Sequence, residues 1–286
     1  MRLFLVFILS LYLHAANIQF EVLGSGGPEL DGRASTSYLL WIEGKARLLV
    51  DMGSGSMLRF EESGAKLRDL EAVVLTHLHI DHSVDLPSFV KAGYFSDRSR
   101  PLDILGPSGN ASFPSTSKFL HILFGPKGAY RYMQDVLTPQ SDSFEITGID
   151  IDGYLRRNYP DFTLELIPTH HGIVPALALR ITVGGKHIVI SGDTNDADHS
   201  LEKLIDHADL FIAHHAIPEE QTGFASSLHM RPSVIGKLAQ KGEVKQVLLT
   251  HRMKRTEGRE RQTLQVIRRY YKGKIRFAND HTRIKF

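Results

Sequence analysis

The chain of 286 residues contains no cysteine. This absence excludes disulfide bonds, thiolate metal ligands and a cysteine nucleophile, although it does not identify a cellular compartment. The chain also lacks a Gly-x-Ser-x-Gly segment, so nothing in it indicates the serine elbow of α/β-hydrolases. Lys and Arg exceed Asp and Glu by only two, and this net charge does not indicate nucleic acid or a membrane surface as a partner.

Long apolar runs are scarce, with one exception at the N-terminus. Met1 and Arg2 precede an almost entirely apolar stretch, residues 3–13, and two alanines follow at 15–16. This pattern is typical of a secretory signal peptide and is short for a membrane span. We therefore assign residues 1–16 to a signal peptide and expect an exported protein, periplasmic or secreted. An uncleaved N-terminal anchor is the alternative.

Residues 17–286 alternate short apolar strands with amphipathic helices, and hairpins are frequent. This alternation favours a single domain of two mixed sheets with helices on their outer faces. The glycine-rich turn Gly24–Pro28 lacks the Gly-Lys-Ser/Thr ending of a phosphate-binding loop. Residues 110–143 are the least regular part. They predict one or two helices over the site, where aromatic residues could form a substrate wall, although packing on the core is the favoured interpretation.

Histidine is abundant, with 15 residues, and it is clustered. The segment Thr76–His82 (THLHIDH) follows the apolar run Ala72–Leu75, which predicts a buried strand. Alternation in an extended backbone places His77 and His79 on the same face. Nitrogen and carboxylate ligands without sulfur suit zinc, iron or manganese. The segment therefore predicts a metal site, and a solvated histidine-rich loop is the disfavoured alternative.

Four further apolar strands end in side chains of the same chemistry. These are His170-His171, Asp193, His214-His215 and His251. Polar residues at strand ends on one edge are how a rigid scaffold presents a site. A central carboxylate such as Asp193 can bridge two cations roughly 3.5–4 Å apart, and such a pair activates a hydroxide for hydrolysis. Asp51, at another strand end, either forms a turn before a helix or supports the site.

The segment Thr76–His82 resembles the signature of the metallo-β-lactamase fold superfamily. The segments Leu23–Gly27, Asp51–Gly53, Gly192–Thr194 and Leu249–His251 stand in the order expected there. Leu86-Pro87 and Leu102–Pro107 make the ribonuclease Z and phosphodiesterase branch the most similar one. The resemblance implies an α/β (α+β) fold, a four-layer αββα sandwich, over residues 17–286. It also implies two divalent metal ions, Zn2+ by default, with Mn2+ or Fe2+ as alternatives.

The ligands follow from the same resemblance. The implied set has seven members: His77, His79 and His171 on the first ion, Asp81, His82 and His251 on the second, and Asp193 between them. His171 is preferred to His170 because its spacing to the next strand matches the family better. The candidate catalytic residues are Asp81, one of the implied ligands, and His229, which matches a proton-donating histidine of the branch. The branch orients that histidine with a glutamate, where this chain has His215.

The expected function is a binuclear metal-dependent hydrolase that uses a metal-bridging hydroxide on phosphodiester bonds. An arylsulfatase-like or lactonase activity on the same site, or a non-catalytic metal-binding protein, are the alternatives. Only one hairpin separates His171 from Asp193, where ribonuclease Z carries a long arm that grips tRNA. The expected substrate is therefore a small molecule or nucleotide; no membrane span is expected after signal removal, and no oligomeric state is predicted. Arg252 and Arg255 either contact a phosphate or form a solvated basic run.

Overall fold

The computed structural model describes residues 17–139 and 143–286. In this part of the chain, fourteen strands form two mixed sheets of seven strands each. Residues 1–16, for which a signal peptide is expected, lie outside the described residues. No helix in the described ranges is long and apolar enough to cross a bilayer.

The first sheet contains the N-terminal strands and the last strand of the chain. Its members are β1 (Ile18–Gly24), β2 (Ser37–Ile42), β3 (Lys45–Val50), β4 (Ala72–Val74), β5 (Leu102–Pro107), β6 (Ile146–Ile151) and β14 (Thr282–Lys285). Their order is β14-β1-β2-β3-β4-β5-β6. The pairs from β14 to β3 are antiparallel, and those from β3 to β6 are parallel.

The second sheet repeats this arrangement. Its members are β7 (Leu155–Asn158), β8 (Thr163–His171), β9 (Val174–Val183), β10 (Lys186–Ile190), β11 (Leu210–His214), β12 (Gln246–Thr250) and β13 (Lys274–Phe277). Their order is β13-β12-β11-β10-β9-β8-β7, parallel from β13 to β10 and antiparallel beyond. The segment between His171 and Asp193 is therefore the hairpin of β9 and β10, as the sequence predicts.

Alternating side chains build three apolar layers. On β2, Leu40 belongs to the layer between the sheets, while its neighbour Leu39 faces the outer layer of the first sheet. The helices are α1 (Ser56–Glu62), α2 (Ile80–Ser83), α3 (Leu86–Gly93), α4 (Thr116–Phe124), α5 (Phe224–Leu228), α6 (Pro232–Lys241) and α7 (Glu260–Ile267). The outer face of the first sheet is covered by α1, α3 and α4, and that of the second by α6 and α7. Residues of α2 and α5 line a cavity. Residues of α6 and α7 join the third layer, on the second sheet. The predicted four-layer αββα sandwich is confirmed.

The irregular segment at residues 110–143 packs on the core. Leu120 and Phe124 of α4, with Met133 and Val136 of the following 3-10 turn, are buried in the outer layer of the first sheet. The favoured interpretation of this segment is confirmed for its described residues, and residues 140–142 lie outside them. Phe113, before α4, does reach the site, with its ring centroid 6.4 Å from that of His79.

Candidate metal centre

The predicted site residues meet at one edge of the sandwich. His77 follows β4, His79 precedes α2, and Asp81 and His82 lie within that helix. From the second sheet come the end of β8 with His171, the residues after β10 with Asp193, and the residues after β12 with His251. The two sheets therefore each supply about half of one cluster, and the fold itself brings the distant segments together.

Asp193 lies at the centre of this cluster. Its Oδ2 atom is 3.8 Å from Nε2 of His77, 3.8 Å from Nε2 of His82 and 3.7 Å from Nε2 of His171. Its Oδ1 atom is 3.4 Å from Nε2 of His251. These separations are too long for hydrogen bonds, and they leave room for a cation between the carboxylate and the imidazoles.

Asp81 forms a second focus beside it. Its Oδ2 atom lies 3.3 Å from Nε2 of His251 and 3.6 Å from Nε2 of His82. Burial alone would raise the pKa of Asp81, but the neighbouring His82 and His251 lower it to about 2. The same balance of burial against histidines holds the pKa of Asp193 well below its usual range. Both carboxylates are therefore ionised at neutral pH and available to a cation.

Several buried imidazole nitrogens in the cluster have no hydrogen-bond partner among the residues that the structure describes. They are Nε2 of His77, His82, His171 and His251, Nδ1 of His251 and Nδ1 of His229. A buried polar atom left without a partner costs about 1–3 kcal/mol. A set of such atoms around two ionised carboxylates is the arrangement expected of a cation site, so the residues present fit divalent metal ions.

In two of these rings, those of His171 and His82, the opposite nitrogen is held by the protein. Nδ1 of His171 donates to the backbone oxygen of Leu228 at 2.9 Å, and Nδ1 of His82 lies 2.8 Å from Oδ2 of Asp51. Asp51 also accepts hydrogen bonds from the amide and hydroxyl of Thr76, at 2.7 and 2.8 Å. Asp51 therefore supports the site, which decides between the two sequence-based alternatives. Such supporting bonds aim the free Nε2 lone pair at the cluster.

Two four-residue groups have donor atoms within 4.8 Å of one another. One comprises His77, His79, His171 and Asp193, and the other comprises His82, Asp193, His214 and His251. The second group contains His214, which the predicted ligand set omits. Both ring nitrogens of His214 are engaged, Nδ1 with Oδ1 of Asp193 at 2.7 Å and Nε2 with the Tyr38 hydroxyl at 2.9 Å. His214 is therefore placed to orient Asp193 and has no free nitrogen for a cation. Beside His82 and His251, the available ligand atom is Oδ2 of Asp81.

Two successive hydrogen bonds link Tyr38, His214 and Asp193 across the interior between the sheets, and we call this series the relay. Burial is the main cause of a His214 pKa lowered to about 4, so its ring is neutral at neutral pH. A neutral ring that donates from Nδ1 to ionised Asp193 must accept at Nε2, and the Tyr38 hydroxyl donates there. The relay fixes one rotamer of Asp193 and leaves Oδ2 facing the imidazoles. Sequence reasoning missed Tyr38, which lies inside the apolar run of β2.

A cavity of about 280 Å3 opens onto the cluster. Its lining includes His229, Phe224 and Arg255 together with the predicted ligands His79, Asp81, His171, Asp193 and His251. His229 is largely buried, and burial lowers its pKa to about 3.

Within the described residues Arg255 forms no ion pair, whereas Arg252 is buried and paired with Glu260. The two arginines thus differ, since Arg252 forms a structural ion pair and Arg255 lines the cavity.

Two histidines lie outside the cluster. His170 is exposed and its Nδ1 contacts Oδ1 of Asn195 at 3.0 Å, so the structure brings His171 rather than His170 to the site. Nε2 of His215 lies 2.9 Å from the Thr263 hydroxyl of α7, and its Nδ1 has no partner within residues 17–139 and 143–286. His215 stands in the sequence where the branch has the glutamate that orients the proton-donating histidine, and in this structure its ring contacts Thr263 of α7.

Residues 30–205 match the family model of the metallo-beta-lactamase superfamily. The chain belongs to this superfamily. This chain is 28% identical to ribonuclease Z of Mycobacterium bovis (strain BCG / Pasteur 1173P2) over 289 residues. The match covers 94% of this chain and 98% of the relative. The expected similarity to ribonuclease Z is confirmed.

Solved structures of the superfamily agree. The metallo-beta-lactamase fold protein YhfI from Bacillus subtilis superposes with a TM-score of 0.74 at 22% identity, covering 95% of this chain and all (100%) of that one. The short form of human tRNase Z superposes with a TM-score of 0.69 at 22% identity, covering 93% of this chain and 98% of that one. At these identities the likeness establishes the fold.

Proposed function

We propose that this protein is a metal-dependent hydrolase of phosphodiester bonds and that it uses two divalent cations, zinc by default. The observation that carries the proposal is the set of buried, partnerless imidazole nitrogens that face Asp81 and Asp193. Similarity to proteins named ribonuclease Z supports a phosphodiester substrate, because a ribonuclease cleaves that bond.

The chain's own residues divide between two cation positions that share Asp193. His77, His79 and His171 would hold the first cation, and Asp81, His82 and His251 the second. Bound divalent cations lower the pKa of water and polarise a phosphoryl oxygen. The relay from Tyr38 through His214 holds Asp193 in the orientation that both positions require.

His229 is placed to serve the leaving group. It lines the cavity, and its Nδ1 lies 3.8 Å from Oδ2 of Asp193. Its lowered pKa leaves the ring neutral in the free protein, and the negative charge of a bound phosphodiester raises that pKa toward a value suited to proton transfer. His229 can then hold a proton for the departing oxygen.

The cavity wall supplies the remaining contacts. The guanidinium of Arg255, which forms no ion pair with any residue that the structure describes, can bind a non-reacting phosphate oxygen. Phe224, 78% exposed at the mouth, offers an apolar face to the organic group of the substrate. We also propose that the protein is exported, on the pattern of residues 1–16.

Turnover of bis(p-nitrophenyl) phosphate by purified protein tests the proposal. We expect hydrolysis that a chelator and His79→Ala each abolish. The matched control is His170→Ala, which removes an exposed histidine next to His171 and should retain wild-type turnover. Hydrolysis that survives both chelation and His79→Ala would contradict the metal-dependent reaction. Turnover of an aryl sulfate or a lactone, without any of the phosphodiester, would overturn the substrate class.

A further inference from the structure

The lining of the cavity contains two kinds of side chain. The first kind comprises the lining residues of the metal centre together with His229 and Arg255. The remaining lining side chains in the described part of the chain are all apolar: Pro28, Phe224, Ala225, Leu228 and Met253. Outside the metal centre, this described lining therefore has no side-chain amide, hydroxyl or carboxylate that could recognise a sugar or a base through hydrogen bonds.

The short helix α5, which precedes His229, forms one wall of the cavity. Its lining residues Phe224 and Leu228 lie one helical turn apart on the same face. The hydroxyls of Ser226 and Ser227 donate within the helix, to backbone oxygens three residues earlier, each at 2.7 Å. The face of α5 that meets the cavity is therefore apolar, and its serine hydroxyls are engaged within the helix.

The surface on the His79 side of the centre is also apolar. The ring centroid of Phe113 lies 6.4 Å from that of His79. Phe113 surrounds a small gap together with further apolar residues: Leu78, Pro107, Pro114, Val174 and Pro175. The side-chain amide of Asn110 donates to the backbone oxygen of Ile173 at 2.8 Å, which joins this loop to the turn between β8 and β9. A group bound beyond His79 therefore meets a packed apolar surface.

Exposed apolar side chains continue these walls at the mouth of the cavity. We call Phe224, Ile80 and Ile173, which are all exposed, the apolar rim. Ile80 directly follows His79, and Ile173 lies two residues after His171, so both adjoin residues that line the cavity. Large apolar side chains that are exposed beside a binding site indicate a ligand with apolar surface of its own.

A phosphodiester bound at the metal centre determines what meets this surface. Its phosphorus carries two ester groups, and hydrolysis replaces only one of them. Water supplies the new oxygen on phosphorus, the bond from phosphorus to the leaving oxygen breaks, and the leaving oxygen takes up a proton. The second ester group stays on the phosphorus throughout and has to lie against the lining of the cavity, which is apolar outside the metal centre, His229 and Arg255.

We propose that the substrate is a phosphodiester whose retained ester group is an alkyl or aryl group rather than a nucleoside. The inference rests on the proposed function and names the substrate class of the same site. The cavity of about 280 Å3 is slightly smaller than the roughly 300–1,000 Å3 of sites that enclose drug-sized ligands. It therefore admits the phosphate and a short apolar group, and a longer group extends onto the apolar rim.

The test uses the p-nitrophenyl esters of methyl, ethyl, butyl and hexyl phosphate, with the p-nitrophenyl ester of thymidine monophosphate as the nucleoside counterpart. All five release p-nitrophenol, so differences in kcat/KM report the retained group. The test variant is Phe224→Ser, and Phe224→Leu keeps an apolar side chain at the same position. The matched control is Leu58→Ser, which removes an exposed apolar side chain of α1 that does not line the cavity. Thermal unfolding is measured on all four proteins.

We expect kcat/KM of the wild type to rise about two- to fourfold for each added methylene as far as the butyl ester, where fourfold corresponds to full burial. The thymidine ester should react more slowly than the butyl ester. Phe224→Ser should flatten the rise with chain length, Phe224→Leu should retain most of it, and Leu58→Ser should behave like the wild type. A wild-type kcat/KM that does not depend on chain length, a thymidine ester that reacts fastest, or equal losses in Phe224→Ser and Leu58→Ser would overturn the proposal.

Hydrolysis of none of these esters would refute the proposed function, and binding would then decide the inference. Methylphosphonate and butylphosphonate are titrated into zinc-loaded protein in a calorimeter. Tighter binding of butylphosphonate that Phe224→Ser abolishes would support the apolar ligand site without the reaction. Equal binding of the two phosphonates, or binding of neither, would overturn the ligand site as well.

Discussion

Replacing Tyr38 by Phe tests whether the buried relay controls the metal centre. The substitution removes the hydroxyl that donates to Nε2 of His214 at 2.9 Å, and it keeps the ring that stacks on Phe20 with centroids 5.6 Å apart. It leaves the buried Nε2 atom without a partner, which costs about 1–3 kcal/mol. We expect the free energy of unfolding of the metal-free protein to fall by that amount.

The effect on metal binding should be larger than this stability loss suggests. Without the hydroxyl, His214 is no longer held in the tautomer that donates to Oδ1 of Asp193, so the carboxylate loses its fixed orientation. Removing a residue that orients a metal ligand lowers affinity roughly 10–100-fold. The assay is zinc competition against a fluorescent chelator, with urea unfolding measured in parallel on chelated samples.

Tyr159→Phe is the matched control. The Tyr159 hydroxyl is buried without a partner in the described structure, and its ring stacks on Phe162. This variant should retain both stability and zinc affinity. If Tyr38→Phe loses stability but binds zinc as tightly as the wild type, the relay only braces the core and our reasoning about Asp193 is refuted.

Three further predictions address other parts of the structure. Arg255→Ala should raise KM for phosphodiesters roughly tenfold or more and leave the free energy of unfolding unchanged, because Arg255 lines the cavity. Arg252→Ala should lower the free energy of unfolding, because Arg252 is paired with Glu260. Steady-state kinetics and urea titration separate the two effects, and equal effects of both substitutions would contradict the different roles assigned to the two arginines. Burial raises the pKa of Asp196 to about 6, so the folded state holds its proton longer than the unfolded chain, and this residue's contribution to stability falls as pH rises from about 4 to about 6. Asp196→Asn should remove that part of the pH dependence in urea titrations at about pH 4.5 and about pH 7, and identical pH profiles would refute it. Gly53→Ala would place a Cβ atom 2.1 Å from the backbone oxygen of Asp81 and should cost about 1–3 kcal/mol or more, whereas Gly153→Ala meets nothing within 4 Å and should be neutral in thermal unfolding; similar losses in both would count against the close packing of the Asp81 turn.

The architecture could be predicted because the buried strands are recognisable in the sequence as apolar runs, and several of these runs end in histidine or aspartate. Periodicity alone does not say which strand ends meet in space. The order of motifs in a known superfamily supplied that step, and the structure places His77, His171 and Asp193 together accordingly. Their role as metal ligands stays a prediction until a cation is measured.

The supporting residues could not be found in this way. Tyr38 alternates like any core aromatic on β2, and only the stacking of the two sheets brings its hydroxyl to His214, which is 176 positions further along the chain. His214 and His215 are identical in chemistry and adjacent in sequence. Because neighbouring side chains at a strand end point to opposite sides, a shift of one residue decides which of them faces the metal centre.

Metal content per chain tests the central claim most directly. The measurement is plasma mass spectrometry on wild type and Asp193→Asn after loading with zinc and removal of the excess, with folding checked by circular dichroism. We predict about two zinc ions per wild-type chain and a clear loss in the variant, because we propose that Asp193, which lies between the two groups of histidines, would serve both cation positions. A folded wild-type protein that retains no cation under these conditions would contradict the account.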